Sequence, residues 1–310
     1  MSPTNLPTNL ENLVMRVFVT GASGFIGSAL VGDLIGAGHQ VVGLCRSDEK
    51  AAALSAAGAE VHRGTLEDLD GLKNAAARSD GVVHLAFNHD FSTYAANCAD
   101  DRGVIMALGS GLAGSGRPLL VTSGTGMAGT VPGEPAREDN PTIGSDTVPR
   151  AASEEAAMAL AADGVNVSVV RLPQVHDTTK QGLVSFAIPI FMAKGVCGYL
   201  GDGRNRWPAA HVLDTARLYR LALEKAEPNA KYHAVAEEGV AMRDIAEALG
   251  RRLKLPVRSI APEEAPDFFG WLAMFAGNDM PASSAQTRRK LGWEPSGPGL
   301  IADLERLHIA

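Results

Sequence analysis

Arg16-Val17-Phe18-Val19-Thr20-Gly21-Ala22-Ser23-Gly24-Phe25-Ile26-Gly27 decides how this chain folds. The mostly apolar run Arg16 to Thr20 reads as a buried strand, and three glycines at GxxGxxG spacing follow it directly and open a helix. Gly21 permits a tight turn, Gly24 lets the backbone approach a pyrophosphate, and Gly27 allows the helix to pack closely on the strand. The helix start adds unpaired N–H groups and the positive end of a dipole. Ser23, Phe25 and Ile26 stand in the same turn and belong to the same expected dinucleotide contact.

Outward from this turn, short apolar runs alternate with longer Ala-rich segments up to about Leu172, the pattern of a parallel sheet with crossover helices. Strands are expected at Arg16 to Thr20, Gln40 to Cys45, Glu60 to His62, Gly81 to Ala86, Leu119 to Thr122 and Asn166 to Arg171. The fold class is therefore α/β: a doubly wound Rossmann parallel sheet with a smaller, mostly helical C-terminal lobe. Residues 1–14 read as a disordered leader, 15–174 as the dinucleotide-binding domain and 175–310 as the substrate-binding lobe, with 212–236 returning to the first domain. The Gly/Pro-rich stretch from Gly124 to Pro149 reads as one long loop and a candidate lid.

At 310 residues with 45% hydrophobic side chains, the chain can bury a full core without disulfides or metals. A formal charge of −7 with no Lys/Arg run argues against nucleic acid and anionic membranes as partners. The longest apolar stretch, Leu183 to Gly198, is broken by Ser185, Pro189, Lys194 and Gly195, so no transmembrane helix is expected. Cys45, Cys98 and Cys197 lack metal-ligand or CxxC spacing and suggest reduced thiols in a cytoplasmic protein.

Cofactor choice is read at the end of the second strand. An acidic residue there would bind ribose hydroxyls, whereas Arg46 and Ser47 suit a 2′-phosphate, so the expected cofactor is NADP.

Further motifs carry a family resemblance: Val82-Val83-His84-Leu85-Ala86, Val121-Thr122-Ser123, Val169-Val170-Arg171-Leu172-Pro173, Gly201-Asp202-Gly203, His211-Val212-Leu213-Asp214 and Leu291-Gly292-Trp293-Glu294-Pro295. With TGASGFIG they resemble the extended and atypical short-chain dehydrogenase/reductases, the group that includes NAD-dependent epimerases and dehydratases. The resemblance implies that Ala86 and Phe87 flank the cofactor ribose and that Pro173 and Val175 lie beside the nicotinamide. Leu85 and Thr122, in the same motifs, join that cofactor-binding set. It also implies homodimers through the helical segments Phe91 to Ala113 and Arg150 to Ala162.

That family's chemistry rests on Tyr and Lys at YxxxK spacing and an upstream Ser. Here Arg150 stands where Tyr would be and Glu154 where Lys would be, and the two are spaced for a surface ion pair. The upstream hydroxyl falls to Ser123 or Thr125, and Asp100 or Asp101 occupies the region of the family's proton-relay asparagine. Another acid is then needed at the carboxyl ends of the strands, where His176 comes first, followed by His89 and Tyr94, among neighbours Asn88, Asp90, Gln174 and Asp177. Asn88, Arg150, Arg206, Trp207 and His211 are expected to face a small-molecule substrate, and Phe268, Phe269, Trp271 and Phe275 form an aromatic stripe that reads as core or pocket wall. The leading expectation is an NADP-dependent oxidoreductase of the carbonyl or alcohol type. Alternatives are a catalytically silent NADP-binding redox sensor and an epimerase that keeps its cofactor bound.

Overall fold

The computed structural model describes residues 14–131 and 133–308, so the expected leader, Val14 excepted, lies outside the described residues. Up to Leu172 the chain runs β1 (Arg16–Thr20), α1 (Phe25–Gly36), β2 (Gln40–Cys45), α2 (Asp48–Ala56), β3 (Glu60–Arg63), α3 (Leu69–Ala77), β4 (Gly81–His84), α4 (Tyr94–Leu112), β5 (Leu119–Gly124), α5 (Ala152–Ala162) and β6 (Val167–Leu172). It continues through β7 (Gln174–His176), α6 (Val184–Lys194), β8 (Cys197–Leu200), β9 (Arg206–His211), α7 (Val212–Lys225) and β10 (Lys231–His233). β11 (Glu237–Ala241), α8 (Met242–Leu253), β12 (Val257–Ile260), α9 (Ala265–Phe269), α10 (Ala273–Ala276), α11 (Ala285–Leu291) and α12 (Leu300–Glu305) complete it.

Seven parallel strands form the main sheet in the order β10-β6-β5-β4-β1-β2-β3, so the winding reverses between β1 and β4. At that reversal a crevice opens beyond the carboxyl ends of the strands. The strands are apolar on both faces because both are covered. Val17 and Val19 pack with Leu30, Leu34, Leu218 and Tyr219 on one side, while Phe18 packs with Leu72, Ile105 and Leu108 on the other. The seventh strand, β10, returns from far along the sequence to pair with β6, and α7 packs against α1.

A second apolar cluster, including Phe191, Trp207, Ile245, Leu249, Phe268, Phe269 and Leu304, holds the rest. Its small sheets, β11-β9-β7 and β12-β8, are not among the elements expected from sequence. Their strands are short, and the central one contains Pro208, which cannot donate to a ladder. The register of β11 slips between Glu237 and Val240, opposite Ala209 and Trp207, so the bulge falls where the proline lacks its donor.

The stretch read as a lid is fastened down. Ala128 bridges Thr142, Ala136 bridges Ala282, and the Glu138 carboxylate accepts from Thr287 N at 2.7 Å and Thr287 Oγ1 at 2.8 Å. Among the described residues no helix is long and apolar enough to cross a membrane, and the three cysteines are buried and unpaired.

Candidate active site

The glycine turn sits at the reversal of winding. Gly21 has φ +67°, and a Cβ there would lie 2.8 Å from Ala86 N; a Cβ on Gly27 would lie 2.0 Å from Gly21 O. Any larger residue at either position has to push backbone aside. Gly24 donates to Gly21 O at 2.8 Å and caps α1 without a side chain, which leaves the first-turn amides of Phe25 and Ile26 for an anion. Leu85 N and Ala86 N are held at 3.3 Å by Thr20 O and Thr20 Oγ1, so Leu85-Ala86-Phe87 leaves β4 alongside the turn. Arg46 is exposed just past β2, and Ser47 caps α2 by accepting from Lys50 N at 3.4 Å. Arg63, which sequence reading did not single out, ends β3 opposite Cys45 and pairs with Asp48. It thereby offsets one acid of the first turn of α2, and Arg46 stays exposed beside it.

Arg150 and Glu154 do not pair with each other, contrary to the surface ion pair their spacing suggests. Each enters a separate buried network. Thr20 Oγ1 lies 2.7 Å from His84 Nδ1, His84 Nε2 lies 2.9 Å from Asp101 Oδ1, and Asp101 Oδ2 takes Arg150 at 3.0 Å together with the Ser153 hydroxyl. A second Arg150 nitrogen donates to Thr122 O at 3.0 Å, while the Thr122 hydroxyl donates to His84 O at 2.6 Å. Burial alone would raise the pKa of Asp101, but His84, Arg150 and Ser153 together hold it below the usual carboxylate range. The guanidinium is thus fixed in place, with its carbon 4.2 Å from the centre of the Phe87 ring.

Glu154, fully buried, receives Arg171 through two bonds of 2.8 Å, the Ser123 hydroxyl at 2.7 Å and the Thr142 hydroxyl at 2.5 Å. Burial pushes its pKa up, yet these donors outweigh it and keep the carboxylate ionised. The network extends to Lys231, 2.9 Å from Thr142 Oγ1, and to His233, 3.4 Å from Arg171. Burial, against the opposing pull of Glu138, pushes the His233 imidazole down to about 4. In an unfolded chain it titrates near pH 6.5 or so, so between these values the unfolded state takes up a proton that the native state refuses. The urea midpoint is expected to fall as pH is lowered across that interval, and His233→Gln to lessen the slope; equal slopes would remove His233 from the acid response.

The proton-exchange candidates separate by burial. The His176 ring has no exposure, Nδ1 lies 2.7 Å from Asp303, and burial lowers its pKa against the pull of that carboxylate. Among the described residues its Nε2 has no hydrogen-bond partner and lies 3.9 Å from a carboxylate oxygen of Glu237. Ser123 spends its proton on Glu154, and Thr125 is buried with its hydroxyl 3.4 Å from Leu172 O. Asn88 is bonded to Asn97 at 3.2 Å. His89 and Tyr94 remain, both packed edge-on against Phe87 at ring distances of 5.1 and 6.2 Å. Desolvation and the Arg150 charge hold His89 below its ordinary pKa, while desolvation and Cys98 raise that of Tyr94 against Arg150. Pro173 follows β6 half-buried, and Val175 is buried in β7, paired with Ala210.

Of the five residues expected to face a substrate, Arg206, Trp207 and His211 turn to separate partners. Arg206 faces Asp279 at 2.8 Å, Trp207 is core with Nε1 on Asn278 O at 3.2 Å, and His211 caps α7 through Leu213 N at 3.3 Å. The aromatic stripe also divides. Phe268 and Phe269 are buried beside Phe191, whereas Trp271 stacks on Phe91 at 4.4 Å and stays 40% exposed. Besides Arg63, sequence reading missed His84, Thr20 and the Glu154–Arg171 pair. Their signal was present: His84 ends β4 and Arg171 is the penultimate residue of β6, strands covered on both faces, where a polar group must find a partner.

Residues 17–236 match the NAD dependent epimerase/dehydratase family. An uncharacterized protein of Schizosaccharomyces pombe is 47% identical over 297 residues, covering 94% of this chain and 98% of that protein. An uncharacterized protein of Saccharomyces cerevisiae is 43% identical over 293 residues, with 94% and 98% covered. Among solved structures, a double mutant of the dTDP-glucose 4,6-dehydratase DesIV from Streptomyces venezuelae, with NAD and DAU bound, superposes with a TM-score of 0.75 at 19% identity, covering 94% of this chain and 95% of that one.

Proposed function

Because this chain belongs to the NAD dependent epimerase/dehydratase family, we propose that it is an oxidoreductase that takes NADP and reduces a small carbonyl compound. One arrangement carries the reading: the Tyr94 phenol and the Arg150 guanidinium pack on the same ring, Phe87, beside the glycine turn. A phenol next to a fixed cation is what the family otherwise obtains from its Tyr and Lys. Here the two groups come from the start of α4 and the lead-in to α5.

Amides at the start of α1 would bind the diphosphate, with Leu85, Ala86, Phe87, Thr122, Pro173 and Val175 along the rest of the dinucleotide. When bound, the nicotinamide supplies a hydride. Arg150, restrained by Asp101, would hold the oxygen as negative charge develops on it, and Tyr94 would donate its proton to that oxygen. The Tyr94 phenol carries its proton at neutral pH, although desolvation and Cys98, outweighing Arg150, make it a weaker acid than a free phenol.

NADPH mixed with a panel of aldehydes and ketones should be consumed, followed by absorbance of the reduced cofactor. Tight NADPH binding with no turnover would overturn the reductase reading in favour of a silent sensor. One observation favours that second reading: Ser123 and Glu154, at positions where the family keeps reactive groups, are bonded to each other in the interior. Arg46→Ala should weaken NADPH binding by about 1–3 kcal/mol and spare NADH, measured by titrating cofactor fluorescence. Equal loss for both cofactors would clear Arg46 of any role in phosphate recognition.

A further inference from the structure

From Phe87 an aromatic array runs outward to solvent. Tyr94 stacks on Phe91 with ring centres 5.5 Å apart and planes 26° apart, and Phe91 stacks on Trp271 at 4.4 Å and 21°. Phe186 stands edge-on to both Phe91 and Trp271, at 5.7 and 5.3 Å. These rings come from the segment after β4, from α6 and from the turn after α9, so tertiary folding gathers them. They are not the core of the second lobe, which Phe191, Phe268 and Phe269 supply at exposures of 1%, 7% and 2%. Phe186 and Trp271 keep 39% and 40% of their surface in water, and exposed aromatic surface accepts a further ring edge-on or by offset stacking. At the inner end Arg150, paired with Asp101, supplies a single guanidinium, enough for one developing oxyanion but little for the two charges of a sugar-nucleotide diphosphate.

We propose that the substrate is a planar, uncharged aromatic carbonyl compound, its ring laid against Phe91, Phe186 and Trp271 and its oxygen turned toward Tyr94 and Arg150. This specificity rests on the reductase reading above, but its binding can be measured without turnover. Of the three tryptophans, Trp207 and Trp293 are 1% and 0% exposed, so quenching of the half-exposed Trp271 reports on the array. Naphthaldehyde added to NADP-loaded protein should quench tryptophan fluorescence saturably, and Phe91→Ala should weaken its binding about tenfold. In turnover, the kcat/KM ratio of naphthaldehyde over propanal should fall by about the same factor in Trp271→Ala. Saturable quenching by UDP-glucose and not by naphthaldehyde would overturn the proposal, as would naphthaldehyde binding that Phe91→Ala leaves unchanged. Binding of naphthaldehyde with neither aldehyde consumed would sink the reductase reading and leave the aromatic site standing. Consumption of propanal with no binding or reaction of naphthaldehyde would sink this inference alone.

Discussion

Glu154→Ala is expected to lose about 3–5 kcal/mol of folding stability, because it leaves the Arg171 guanidinium charged, dry and facing a void. Both side chains have zero exposure, and Glu154 also receives the Ser123 and Thr142 hydroxyls, so one substitution strands four donors. Removing both charges should cost less. Glu154→Leu combined with Arg171→Met leaves no buried ion and should recover part of the loss, since apolar pairs of similar volume often replace a buried salt bridge without penalty. Urea unfolding of the three proteins checks this. A single variant within about 1 kcal/mol of the parent would mean that water reaches Arg171 and that the pair contributes little.

Tyr94→Phe removes one oxygen and should lower turnover about 10²- to 10⁴-fold, the usual worth of a positioned proton donor. The loss should fall on kcat, with NADPH affinity kept, because the phenol is read as acting on the reacting oxygen and not on the cofactor. The ring itself remains to stack on Phe91, so a folding defect is not expected. In the parent protein the rate should hold until pH passes above the ordinary phenol range, in keeping with the raised pKa of Tyr94. Unchanged turnover in Tyr94→Phe, together with a comparable loss in His89→Gln, would transfer the role to the imidazole.

The nucleotide half was open to sequence reading because its signals are local. Glycine spacing, an apolar run before it and Ala-rich helices after it lie within a few residues of one another. Strands β7, β8, β9, β11 and β12 were opaque for the opposite reason: they are three to six residues long, and what makes them strands is a partner distant in sequence. At the site, the sequence displays the replacement of Tyr and Lys by Arg150 and Glu154 but not the partners those residues find. Asp101 did leave a trace, since it shares a buried helical stripe with Asn97, Ile105, Leu108 and Leu112, where a carboxylate needs a cation or a donor. Arg171 left another, inside the run Val167-Ser168-Val169-Val170-Arg171-Leu172. For His176 the residue type suits proton transfer but says nothing about burial, and the ring lies in the interior against Asp303.

The late return of β10 to the main sheet has a consequence for synthesis. A nascent chain that has emerged only as far as residue 200 exposes the outer edge of β6 and the apolar side of α1, since β10 and α7 are still in or near the ribosome. Roughly three quarters of the polypeptide must be made before the nucleotide half can close its own edge, so that edge stays open to pairing with other chains for longer than its early position in the chain would suggest.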